Sequence, residues 1–266
     1  MSTRLPLVLL PPSEGKASGG RGAPWTPGTF VEPALDDQRA AVAAALARAM
    51  NGSRAARQRL LGVKGDALDA ATTTNAAVLT GPTRPAIDRY TGVLYDALGY
   101  ADCPASLRRR LDRQVRIFSG LWGVVSPRDP IPDYKLKMGA TLPGVGKVST
   151  AWREPITSAL APTVRGRVVW DLLPNEHAAA WRPNELPAVG RVTVRFLDDV
   201  VRNGRRQLVT VSHWNKLLKG ALVRHIVEHQ VDDPAALADF EHPEGYTYRP
   251  DLSHVDGSVA EAWFVR

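Results

Sequence analysis

Three short runs of this chain gather residue types that do chemistry. Pro11-Pro12-Ser13-Glu14-Gly15-Lys16 follows a hydrophobic run, so a hydroxyl, a carboxylate and an ammonium sit on a turn where a strand is expected to end. That set suits a loop touching a phosphate or a base, though it suits an ordinary solvent-facing turn as well. The Gly-x4-Gly-Lys-Ser/Thr spacing of a P-loop is absent. In Ile117-Phe118-Ser119-Gly120-Leu121-Trp122-Gly123-Val124-Val125, two glycines flank a Leu-Trp pair within a β-prone run. Glycine weakens a strand, so its presence predicts a close approach to the backbone. Farther on, Lys216, Lys219 and Arg224 fall within roughly 140° of one helical face, with Gly220 among them. A mid-helix glycine costs about 1 kcal/mol relative to alanine, which again points to close approach by a ligand or another backbone.

Two classes of function use these residues. In a binding protein, Lys and Arg contact the phosphates of duplex DNA with salt-dependent affinity, and Trp122 or Tyr134 stacks on an exposed base. In an enzyme acting on a nucleotide, nucleoside or related small molecule, Lys16, Lys216 and Arg224 hold an anionic group. Glu176 or Glu14 then serves as acid–base group or nucleophile, as cleavage or formation of a base–ribose bond requires. The two differ in layout. A DNA binder spreads its cations over an open face, whereas an enzyme gathers them with Glu176 and Trp122 in one concave site.

Other patterns carry less. Leu142-Pro143-Gly144-Val145-Gly146-Lys147-Val148-Ser149-Thr150-Ala151 matches the hairpin of a helix-hairpin-helix DNA-binding module, but the residues before it read as strand where a helix is required. His225, Glu228 and His229 have the spacing of an inverted zincin site, with no acid suitably placed downstream, and read as helix surface. No metal site is expected, and no cofactor is singled out. Cys103, the single cysteine, precedes Pro104 at a helix start, where a dipole can lower a thiol pKa; an inert buried thiol is the plainer reading. One cysteine also excludes an intrachain disulfide framework.

The elements that must position these residues alternate. Strands are predicted at 4–10, 116–125, 134–138, 167–173, 190–197 and 206–212, the last two flanking an Asn203-Gly204 turn. Helices are predicted at 34–50, 53–61, 85–98, 104–115, 150–160, 175–181, 214–229 and 234–240, and residues 11–33 form a long connection. This is a mixed α/β (α+β) fold, with a central mixed sheet flanked by helices in a single domain over residues 1–266. The chain is 44% hydrophobic and 23% charged, as an ordinary globular protein is. Its apolar runs are too short to span a membrane and its start does not read as a secretory signal, so a cytoplasmic protein is expected. A net charge of +7 favours polyanionic partners, double-stranded DNA or a nucleotide-like small molecule.

Several segments, taken in order, resemble the YaaA family of bacterial peroxide-stress proteins. They are 7–16, 90–98, 118–124, Pro127-Arg128-Asp129, 134–139, Val169 to Glu176, Lys216 to Arg224 and Glu244-Gly245-Tyr246. The resemblance implies a single mixed α/β domain in a cytoplasmic protein that limits oxidative damage, from a family described as binding DNA and lowering available iron. It carries over ligand-facing roles for Ser119, Gly120, Gly123, Tyr134, Lys216, Lys219, Gly220, Arg224 and Tyr246. Thr91-Gly92-Val93 stands where better-known members have Lys-Gly-Asp.

Overall fold

The computed structural model describes residues 4–202, 204–210, 215–242 and 244–266. Its main sheet has nine strands: β1 (Leu7–Leu10), β2 (Val115–Ser119), β3 (Gly123–Val125), β4 (Val168–Asp171), β5 (Gly190–Arg202), β6 (Arg205–Thr210), β7 (Thr247–Tyr248), β8 (His254–Asp256) and β9 (Val259–Val265). The spatial order is β7-β9-β5-β4-β1-β2-β3, with β6 beside β5 and β8 beside β9. Strands β9, β5, β4, β1 and β2 run parallel, and the edges are antiparallel. The mixed sheet expected from the sequence is therefore present. Strand β1 is buried at all four residues because helices cover both faces of a parallel sheet.

The helices that matter for the site are α1 (Asp36–Ala49), α2 (Val93–Leu98), α3 (Ala105–Gln114), α4 (Val148–Val164), α5 (Asn175–Ala178) and α6 (Asn215–His229). Several expected boundaries are corrected. Residues 116–125 do not form one strand; they fold into the antiparallel β2–β3 hairpin, which Gly123 permits with φ +69°. The stretch 134–138 is irregular rather than a strand, hydrogen-bonded through Lys135 to the Asn75 side chain. Helix 85–98 breaks at Gly92, whose φ of +100° no helix accommodates. The 234–240 helix is a 3-10 turn, Pro234–Asp239. A helix at Gly65–Ala76 and strand β9 were not expected. Asn203 of the expected turn, 211–212 of the last predicted strand and Trp214 of the predicted 214–229 helix lie outside the described residues.

The Ser119–Gly123 turn is held from beneath by a buried arginine. Arg39 of α1 is fully buried and commits all five of its N–H groups. Nε donates to the Trp122 carbonyl at 3.1 Å, Nη2 to the carbonyls of Val124 at 2.7 Å and Val31 at 2.9 Å, and Nη1 to the Glu32 carbonyl at 3.1 Å and to Asp36 at 2.7 Å. Trp122 is fully buried in an aromatic cluster with Trp25 and Phe30, ring centroids 5.2 and 5.3 Å away.

Candidate functional site

In open parallel sheets, ligands collect at the carboxyl ends of strands where the chain changes direction across the sheet. Here that switch lies between β1 and β4. From β1 the chain moves to β2 on one side, and later returns to place β4 on the other. Leu9 pairs with Asp171, so the two strands end side by side. Beyond β1 comes the Pro11–Lys16 loop, and beyond β4 comes α5 with Glu176. The irregular 134–138 segment closes the third side. These three segments line a cavity of about 70 Å³. At roughly 30 Å³ per water, it has room for a small polar group rather than a whole nucleoside.

Its walls carry Ser13, Glu14, Lys16, Lys135, Lys137, Glu176 and His177. Glu14 pairs with Lys137 at 2.9 Å, and that bond holds the carboxyl below its ordinary range, with Lys135 and Lys216 assisting from a distance. Glu176 Oε1 accepts from the Gly139 amide at 2.7 Å. Lys16 is the most enclosed cation. Its ammonium lies 4.4 Å from the centre of the Tyr134 ring and donates to the Ser13 carbonyl at 3.1 Å. Burial pushes it down to about 8, despite the Asp133 and Glu14 charges. Below it run three linked hydroxyls: Tyr90 to Tyr134 at 2.8 Å, Tyr134 to Ser119 Oγ at 2.7 Å, with Ser119 Oγ accepting from the Trp122 amide at 3.0 Å. Burial pushes the Tyr134 hydroxyl up to about 12, so the chain stays protonated and can pass polarisation but not a full charge. His177 is pushed down to about 4 by burial and is neutral at pH 7.

The expected residues do not all converge. Glu14, Glu176, Ser13, Lys16 and Tyr134 do, and Lys216 stands close enough to act on Glu14. Ser119 lies one hydrogen bond beneath. Trp122 offers no ring face to a base, because the aromatic cluster encloses it. The close approach at Gly120 comes from the Leu136–Met138 backbone, which a Cβ would meet at 2.7 Å; at Gly123 it comes from the Trp152 ring at 2.8 Å. Gly220 lets α6 pack on α2, where a Cβ would lie 2.2 Å from the Leu94 carbonyl. Arg224 turns to Glu228 at 3.8 Å, near Gly99. Tyr246 donates to Asp198 at 2.6 Å and packs edge-on against Phe196. Lys219 donates to the Leu172 carbonyl at 2.9 Å in a separate cavity of about 350 Å³ with Asp171 and Arg191. Burial raises the Cys103 thiol, the reverse of what a reactive cysteine needs.

Lys135, Lys137 and His177 were missed. The alternation Lys135-Leu136-Lys137 and a histidine beside Glu176 were the available signals. The family described as "Peroxide stress protein YaaA" matches residues 7–252, which includes every segment lining the cavity. This chain belongs to that family. A UPF0246 protein of Streptomyces coelicolor is 40% identical over 242 residues, covering 90% of each chain. One from Corynebacterium glutamicum is 35% identical over 241 residues, covering 87% of this chain and 91% of its own. Another from Corynebacterium efficiens is 38% identical over 224 residues, covering 82% and 83%. In this YaaA-family protein, no helix among the described residues is long and apolar enough to cross a membrane, and no group of three or more His, Cys, Asp or Glu is disposed to hold a metal.

Proposed function

We propose that this peroxide-stress family member works in the cytoplasm by holding the phosphate of a nucleotide-like ligand in the β1/β4 crevice. The observation that carries this reading is the gathering of Lys16, Lys135 and Lys137 with Glu14 and Glu176 where two adjacent parallel strands end. The lysines bind the anion, and the Tyr134 ring, fixed by its hydroxyl bonds to Tyr90 and Ser119, holds the Lys16 ammonium in place. Glu176 is the group with the freedom to move a proton, since Glu14 is committed to Lys137. A cavity this small takes one phosphate or ring edge, and the rest of the ligand extends outward.

Duplex DNA is the second reading. It is favoured by the net charge of +7 and by the largely exposed Thr141–Lys147 hairpin, where Gly144 and Gly146 adopt φ +81° and +85° with open space where a Cβ would lie, so a phosphate can come close to the turn. Fluorescence anisotropy with labelled duplex across a salt series, with nucleotides as competitors, separates the two. Saturable nucleotide binding that displaces the duplex supports the crevice. Steeply salt-dependent duplex binding that nucleotides leave intact supports the open surface. If neither ligand binds at about 50 mM salt, both readings fail.

A further inference from the structure

We propose that a second anion site, for a phosphoryl group, lies at the opposite end of the sheet from the β1/β4 crevice. The chain enters β1, β2 and β4 there, and the residues just before those strands, Arg4, Gln114 and Arg167, share a cavity of about 500 Å³ with Arg113, Gln230 and Asp232. Three guanidiniums against one carboxylate leave it cationic, and planar guanidinium forks match phosphoryl oxygens.

The polar atoms around this cavity are unusual. Gln114 is fully buried, yet neither its Nε2 nor its Oε1 has a hydrogen-bond partner among the described residues. The same holds for Arg167 Nε and Gln230 Oε1. These four atoms belong to three residues that line one cavity, and a buried polar atom without a partner costs about 1–3 kcal/mol. The Arg167 charge is disfavoured by burial and by Arg116 and Arg4 beside it. A bound anion relieves that repulsion and supplies acceptors to the two orphaned donors, Gln114 Nε2 and Arg167 Nε, while the Gln114 and Gln230 carbonyl oxygens suit a hydroxyl or amine on the rest of the ligand. The cavity is far larger than an isolated phosphate, so the ligand carries its phosphoryl group on a further body, free or as part of a nucleic-acid backbone.

The test is calorimetric titration of the full chain with inorganic pyrophosphate, in a Lys16→Met background that cripples the crevice. Binding is expected to survive there, and Arg113→Glu, an exposed position, to weaken it on the order of tenfold. Gln114→Leu is expected to melt no lower than the parent while losing affinity, because an apolar side chain of similar shape removes both orphans. Displacement by ATP alone assigns a free phosphorylated ligand, and displacement by duplex at equal phosphate concentration assigns a nucleic-acid backbone. Loss of all pyrophosphate binding in Lys16→Met, or a Gln114→Leu protein that melts lower and binds unchanged, overturns the site. Neither result touches the crevice reading, which the nucleotide competition tests separately.

Discussion

The enclosed Lys16 ammonium gives the crevice a pH signature. Its ordinary value of 10.5 falls to about 8 because burial outweighs the attraction of Asp133 and Glu14. The nearby positive groups, Lys135 and Arg89, push the same way. With a midpoint near 8, about nine-tenths of the molecules carry the charge at pH 7 and about one-tenth at pH 9. An anion that needs the ammonium therefore binds roughly tenfold more weakly at pH 9 than at pH 7. Stability moves the other way. The folded-state value lies below the unfolded one, so burying the charged amine costs stability below about 8, and that cost fades as pH rises from about 8 towards 10.5. Lys16→Met keeps the length and apolar stem, removes the charge, and flattens both dependences. The assay is nucleotide titration at fixed ionic strength from pH 6.5 to 9.5 on parent and variant. Lys219 is also pushed down to about 8, in the neighbouring cavity, so the variant is essential. An affinity that stays flat across the range in the parent, or falls equally in Lys16→Met, refutes the assignment of Lys16 as the anion-holding group.

Gly220→Ala gains about 1 kcal/mol of helix propensity but drives a methyl to within 2.2 Å of the Leu94 carbonyl. A net loss of about 1–3 kcal/mol is expected by urea unfolding, with nucleotide affinity preserved once folded; a stabilised variant would return Gly220 to the ligand-facing role. Arg39→Met leaves an unpaired Asp36 and four carbonyls short of their donor, so a loss of about 3–5 kcal/mol in the same assay is expected. Glu176→Gln still accepts from the Gly139 amide but cannot take a proton. Binding should change little while any turnover found falls by about 10²–10⁴, and unchanged turnover would remove Glu176 from the chemistry.

The parts of the site that the sequence disclosed were those written in one short run. Ser13, Glu14 and Lys16 follow a buried strand directly, and that is where a parallel strand presents its carboxyl end. Glu176 was legible for the same reason, five residues beyond Asp171. The glycine reasoning held, since Gly120, Gly123 and Gly220 each admit a close neighbour: another backbone at Gly120 (Leu136–Met138) and at Gly220 (Leu94), and the Trp152 ring at Gly123. A missing side chain records that space is occupied; it does not record by what. Periodicity misled where it was applied to a helix face. Lys216, Lys219 and Arg224 share an arc, yet they reach three surroundings because α2 packs at Gly220 and divides that face. The rings that surround Lys16 come from Tyr90 and Tyr134, which Ser119 anchors through the Tyr134 hydroxyl, and the three are far apart in the chain. Only the order of strands joins them, because β1 sits between β2, which ends in Ser119, and β4, which leads to Glu176. A lysine in the middle of that arrangement is desolvated by its position in the sheet. The property that makes it chemically distinct thus belongs to the topology rather than to any motif.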